Sequence, residues 1–208
     1  MIVTLIPAAG ASSRMGGRDK LLETIKGEPI LARTARIACE ADLGPVLVTL
    51  RPKDRTRRKA LRKHDVTVIE VPDADEGIAA SLRRGAEKAI ELILAYDEGD
   101  YEYSGMMILL PDMPEILSKD LKAMDYIFQS MGGPCVRAET DGEKPGHPSL
   151  VPLHVLREFE TLTGDKGAAS LFEYERVFPL ELPGDRARLD LDTPEEWAAW
   201  RAKTGIRF

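Results

Sequence analysis

The chain has only two cysteines in 208 residues, Cys39 and Cys135, far apart and outside any Cys-x-x-Cys spacing. A structural zinc site takes about four ligands, usually in close pairs, so that class is excluded. The two thiols read instead as buried or half-buried groups. No stretch of about 20 apolar residues occurs, and no basic segment leads into an apolar core with a cleavage site. Neither a membrane span nor a secretory leader is therefore expected. Internal repeats and low-complexity linkers are also missing. These absences make a cytoplasmic protein with one domain over residues 1–208 the expectation.

Excess positive charge is missing too. The formal net charge is −6, which argues against nucleic acid as the main partner. A local cluster of donors can still hold phosphate on an acidic protein. With 43% hydrophobic residues the chain can bury a sizeable core, and 31% charged residues mark it as ordinary globular.

What is present is alternation. Strand patterns run over 2–6, 46–50, 66–71, 106–110, 134–137 and 177–182. Helical patterns lie between and after them at 30–40, 54–63, 78–96, 118–131, 155–161 and 194–203. Such alternation predicts an α/β fold, a doubly wound and mostly parallel sheet with helices on both faces. Ligands of such sheets sit beyond the carboxyl ends of the strands, here the loops after Ile6, Leu50, Val71 and Leu110.

The first of those loops is the most unusual. From Ala8 through Ala9, Gly10, Ala11, Ser12 and Ser13 no side chain is larger than serine. Small residues let the backbone approach a ligand, and their N–H groups can converge on phosphate oxygens. Arg14 and Lys20 follow at spacings that let both heads reach one anion. The segment is neither a Walker loop nor a Gly-x-Gly-x-x-Gly fingerprint.

Pro7-Ala8-Ala9-Gly10-Ala11-Ser12-Ser13-Arg14-Met15-Gly16 with Lys20 resembles the signature loop of the molybdenum-cofactor nucleotidyltransferase family. Further segments match in the family's order: Gly77–Leu82, Asp112-Met113-Pro114, Gly146-His147-Pro148, Gly164–Ala168 and Asp190-Leu191-Asp192-Thr193-Pro194. They cover nearly the whole chain. The resemblance implies a nucleotide-diphospho-sugar transferase-like, Rossmann-like sheet. It implies transfer of a nucleoside monophosphate from an NTP to a phosphorylated acceptor, molybdopterin in this family, with pyrophosphate released. A molybdoenzyme or its chaperone is then an expected partner. Pro7-Ala8-Ala9-Gly10 and Gly146-His147-Pro148 resemble the CTP-using branch. Pro111 departs from the pattern where Gly is usual, and Ala169 where Arg is frequent.

The residues carry matching chemistry. Asp112 closes an apolar strand, the usual place for a carboxylate that holds Mg²⁺, and Asp192 is the second ligand that the resemblance implies. Asp190 is expected to face the other way and to serve substrate binding at most. Arg14 and Lys20 are expected to neutralise phosphate charge in catalysis, with Ala8, Ala9, Gly10, Ser12 and Ser13 lining the nucleotide. Ser81 reads either as a helix cap or as a contact to ribose or base. His147, set in a polar loop, reads as a substrate contact or as loop scaffolding. A phosphate nucleophile needs no strong base, so few histidines suffice. The basic run Arg51–Lys59 reads first as a solvated helix face and second as a rim that attracts an anionic substrate. The remaining reading is a nucleotide-binding accessory protein without turnover, or a transferase for a sugar or polyol phosphate.

Overall fold

The computed structural model describes residues 1–96, 103–140, 144–165 and 167–206. The strands are β1 (Ile2–Pro7), β2 (Thr24–Ile25), β3 (Glu28–Pro29), β4 (Val46–Leu50), β5 (Thr67–Glu70), β6 (Gly105–Ile108), β7 (Cys135–Thr140), β8 (Lys144–Pro152) and β9 (Val177–Glu181). The helices are α1 (Ile30–Ala41), α2 (Arg55–Ala60), α3 (Ile78–Tyr96), α4 (Ser118–Ser130), α5 (Leu153–Leu156) and α6 (Pro194–Thr204). β2 and β3 form a separate two-stranded hairpin that the sequence patterns do not reveal.

One sheet of seven strands has the order β5-β4-β1-β6-β8-β7-β9. β5, β4, β1 and β6 run parallel, as does β9 beside β7. β8 is antiparallel to both β6 and β7. The doubly wound, mostly parallel sheet is thus as expected, with one reversed strand inside it. That strand corrects the reading of 146–148 as a polar loop. Gly146, His147 and Pro148 lie within β8, and its later residues from Ser149 onward are buried.

Side-chain alternation sorts the core. Ile2 and Ile6 point to one face, where α1, α4 and α6 pack with Leu31, Leu121, Phe128 and Trp197. Val3 and Leu5 point to the other, against Leu82, Ala86, Ala89 and Ile93 of α3 and Phe159 beyond α5. Met106, Met107 and Met113 are buried core residues, as read from the sequence. Cys39 is half-buried and Cys135 buried, and both are free thiols. No helix among the described residues is long and apolar enough to cross a membrane.

Two glycines are fixed by space, and Gly77 by conformation as well. Gly77, at φ +99, leads into α3, and a methyl there would meet the Gly164 carbonyl oxygen at 2.7 Å and the Asp165 carboxylate. A methyl on Gly146 would collide with the Ala187 carbonyl, so β8 can approach the 185–188 turn only with glycine there.

Candidate functional site

The carboxyl ends of β1, β4, β5 and β6 lie side by side, so the loops after them share one edge of the sheet. The loop after β1 is held open from behind. Arg57, on α2 and only 4% exposed, donates Nη1 to the carbonyls of Ala8 (2.7 Å) and Gly10 (2.8 Å). Its Nε and Nη2 grip both oxygens of Asp19 at 2.7 and 2.8 Å, and Nη2 also reaches the Ser12 hydroxyl. Arg51, just past β4, donates Nε to the Ala9 carbonyl at 2.9 Å. Three successive carbonyls are therefore turned toward protein cations. Among the described residues, the N–H groups of Ala9, Gly10, Ala11 and Ser12 have no hydrogen-bond acceptor. A run of unsatisfied N–H groups is an anion cradle.

Arg57 and Arg51 correct the reading of the basic run. Arg55, Arg58 and Lys59 are solvated, but Arg57 is buried and Arg51 partly so, and both serve the loop. Ser12 takes a left-handed φ of 53 and spends its hydroxyl on Asp19. Met15 anchors the loop in the core, while Ser13 and Arg14 remain exposed. Asp19 caps the next turn by accepting from Leu21 N–H. Burial opposes the charge of Asp19, but the Arg57 guanidinium outweighs it and holds the carboxyl below its ordinary value.

In front of the cradle the expected charged residues converge. Lys20 Nζ lies 2.5 Å from Asp112 Oδ2 and 2.5 Å from Asp192 Oδ1. Arg14 reaches the other oxygen of Asp192 at 2.6 Å. The Leu191 N–H donates to the Asp112 carbonyl, which draws the C-terminal segment beside the end of β6. A capping box of Thr193 and Glu196 at the start of α6 then fixes Asp192. Burial works against the Lys20 ammonium, yet the two carboxylates prevail and raise its pKa above the ordinary value.

Asp190 is exposed, with Asp112 and Asp192 near enough to act on its carboxyl. Partial burial raises its pKa, and the Asp112 and Asp192 carboxylates raise it further, so all three acids share one field.

The donor set suits a small hard cation. Asp112 is 8% exposed and its Oδ1 has no hydrogen-bond partner among the described residues. No cluster of three or more acids, histidines or cysteines with metal-holding geometry occurs among the described residues. Mg²⁺ matches that economy, because it uses one or two carboxylates and fills its octahedron with water and phosphate oxygens.

Ser81 is the fourth residue of α3 and buried, so it is not the cap. That task falls to Asp165, whose Oδ1 accepts from Ile78 N–H, and to the Gly164 carbonyl, which accepts from Ala79 N–H. Lys166, within the Gly164–Ala168 motif, lies outside the described residues. His154 is exposed beside Glu175 and His64 half-buried. His147 is neither exposed nor in a loop. Burial, helped by the Arg137 charge and opposed by Asp112, pushes its imidazole down to about 4.

A pH dependence follows. Between about pH 4 and 6.5 the unfolded chain holds a proton on this histidine that the folded chain does not. Stability is therefore complete above pH 6.5 and falls as pH drops toward 4, by an amount on the order of 3 kcal/mol. Urea unfolding of wild type and His147→Gln across that range should show a steeper acid loss in wild type.

The sheet order, the anion cradle and the cation–carboxylate cluster together define a nucleotidyltransferase with the nucleotide-diphospho-sugar transferase-like fold. Residues 4–180 match the model of the MobA-like NTP transferase domain, and the chain belongs to that family. No curated protein sequence matches it. Among solved structures, Rv0371c of Mycobacterium tuberculosis shares 26% identity at a TM-score of 0.74, covering 96% of this chain and 97% of that one. A nucleotidyl transferase from Methanothermobacter shares 19% identity (TM-score 0.70, 98% and 97% covered). CMP:2-keto-3-deoxy-manno-octonic acid synthetase, solved with CTP, shares 16% (TM-score 0.68, 98% of both chains).

Proposed function

We propose that the chain transfers CMP from CTP to the phosphate of molybdopterin, releasing pyrophosphate, with Mg²⁺ held by Asp112 and Asp192. The observation that carries this is the meeting of Lys20 and Arg14 on that carboxylate pair in front of an open row of N–H groups. The triphosphate lies on the N–H groups of the loop after β1. An acceptor phosphate oxygen attacks the α-phosphorus, the bond to the bridging oxygen of the β-phosphate breaks, and pyrophosphate departs with the electron pair. The acceptor oxygen is anionic at neutral pH, so positioning and charge neutralisation do the catalysis. Lys20 and Arg14 turn from the carboxylates to the α-phosphate and the leaving pyrophosphate. Mg²⁺, when bound, supplies neutralising charge on the phosphate oxygens.

Three features support CTP. An alanine at position 9 leaves less freedom to the loop backbone than the glycine of GTP-using relatives would, and its methyl is buried against Val71, Ala74 and Ala80. The Ala-Ala-Gly and Gly-His-Pro segments resemble those of CTP-using relatives. A structural neighbour was solved with CTP. The divalent ion has its own support in Rv0371c, solved with manganese. A second reading, a compact sugar or polyol phosphate as acceptor, is favoured by the modest size of the cavity between α3 and the β7–β8 pair, about 190 Å³.

Calorimetric titration with CTP, GTP and ATP, with and without Mg²⁺, tests the donor. CTP is expected to bind at least about tenfold tighter than GTP, and only with Mg²⁺. Pyrophosphate release on adding molybdopterin tests the acceptor. Equal binding of GTP would move the assignment to guanylyl transfer, and release only with sugar phosphates would favour the second reading.

A further inference from the structure

A cavity between α3 and the β7–β8 pair contains polar atoms that no described residue uses. It is walled by Ile78 and Leu82 of α3, Leu110 past β6, Phe172, and the β7–β8 pair. Arg137 of β7 stands directly opposite Ser149 of β8, and His147 lines the same cavity although the register shifts between them. His147 Nδ1 and Ser149 Oγ are buried without a hydrogen-bond partner among the described residues. A buried polar atom left unpaired is destabilising, so such atoms point to a water or a ligand there.

Arg137 is the one cation among the described residues that line this cavity. It is half-buried, donates Nε to the Gly146 carbonyl and lies 5.3 Å over the Phe172 ring. Among the described residues no carboxylate comes within ion-pair distance of it. Asp165, the acid on the opposite wall, is engaged with Ile78 N–H at the start of α3. Burial lowers the Arg137 pKa, with no offsetting anion among the described residues, and His147 is uncharged at neutral pH. A half-buried guanidinium with no carboxylate beside it among the described residues is better satisfied when an anion arrives.

We propose that this cavity seats an anionic group of the acceptor, with Arg137 as its cation and His147 and Ser149 as neutral hydrogen-bond partners beside it. This rests on the reading of the chain as a nucleotidyltransferase. The volume of about 190 Å³ holds about six waters, enough for a phosphate and a short polar stem. The acceptor class is therefore a compact polar anion, or a larger molecule that inserts such an end.

Inorganic phosphate serves as the probe and the His147 imidazole as the reporter, assigned with His147→Gln. Phosphate should shift the His147 NMR signal saturably in wild type. Arg137→Gln, which keeps a donor for Gly146 but no charge, should weaken that response by about tenfold or more, the loss of one charge-assisted hydrogen bond. Arg137→Lys should restore part of it. Phosphate that leaves the wild-type signal unmoved, or moves it equally in Arg137→Gln, overturns the proposal. No nucleotide enters this experiment, so its failure is separate from a failure to bind CTP. In turnover, Arg137→Gln should raise the acceptor KM about tenfold and leave the CTP KM within about twofold.

Discussion

Lys20→Ala is expected to slow pyrophosphate release from CTP by about 100- to 1,000-fold, and at the same time to tighten Mn²⁺ binding measured without nucleotide. The two effects have one cause. Lys20 Nζ sits 2.5 Å from an oxygen of Asp112 and 2.5 Å from an oxygen of Asp192. Two carboxylates so close repel by several kcal/mol, about 4 kcal/mol at 4 Å and an effective dielectric near 20. In the free protein the ammonium offsets that repulsion, and it competes with any cation for the same oxygens. Removing it leaves two acids that seek a divalent ion.

The same ammonium is lost to the α-phosphate and the leaving group, so turnover falls although the ion is held better. Electron paramagnetic resonance titration of Mn²⁺ and a coupled pyrophosphate assay read the two quantities separately. Asp112→Asn should lose both, because it removes a ligand whose Oδ1 is buried and free to take the ion. Unchanged Mn²⁺ affinity in Lys20→Ala would place the ion away from this pair.

The parts of this site that could be read in the chain are those that single residues announce. A run of small side chains after an apolar strand, followed by Arg14 and Lys20, points to phosphate without knowledge of the fold. Asp112 at a strand end is equally plain. The reversed strand β8 is not, because Gly146, Pro148 and Pro152 are turn residues by composition. Its pairing between β6 and β7 is a long-range fact, fixed by apolar partners on both sides. His147 therefore moved from a loop to a buried face.

Arg57 was invisible for another reason. It stands among Arg55, Arg58 and Lys59, and no periodic signal separates it from them. Only the packing of α2 against the loop after β1 selects it, with Asp19 as the partner that makes its burial tolerable.

The second large effect belongs to Arg57. Arg57→Ala should destabilise the fold by about 3 kcal/mol, and raise the KM for CTP about tenfold or more in the protein that remains folded. Arg57 gives hydrogen bonds to two loop carbonyls and both oxygens of Asp19, all at 2.7 or 2.8 Å. Its loss strands the Ala8 and Gly10 carbonyls and leaves a half-buried carboxylate unpaired. At roughly 2–4 °C per kcal/mol for a chain of this size, Tm should drop by about 6–12 °C.

Arg57→Lys should recover little, because a single ammonium cannot span a planar fork of four acceptors. The signature of positioning is a rise in nucleotide KM with the acceptor KM unmoved, since Arg57 acts only through the loop backbone. An acid titration supplies the sign. The Asp19 carboxyl is held below 3.8 by Arg57, so that contribution is present above pH 3.8 and is lost as pH falls through the folded value. The stability gap between wild type and Arg57→Ala should therefore be full above pH 3.8 and narrow only as pH falls below it, with the part due to the Ala8 and Gly10 carbonyls remaining. An Arg57→Lys protein with wild-type Tm and nucleotide KM would show that the loop holds its shape without this residue.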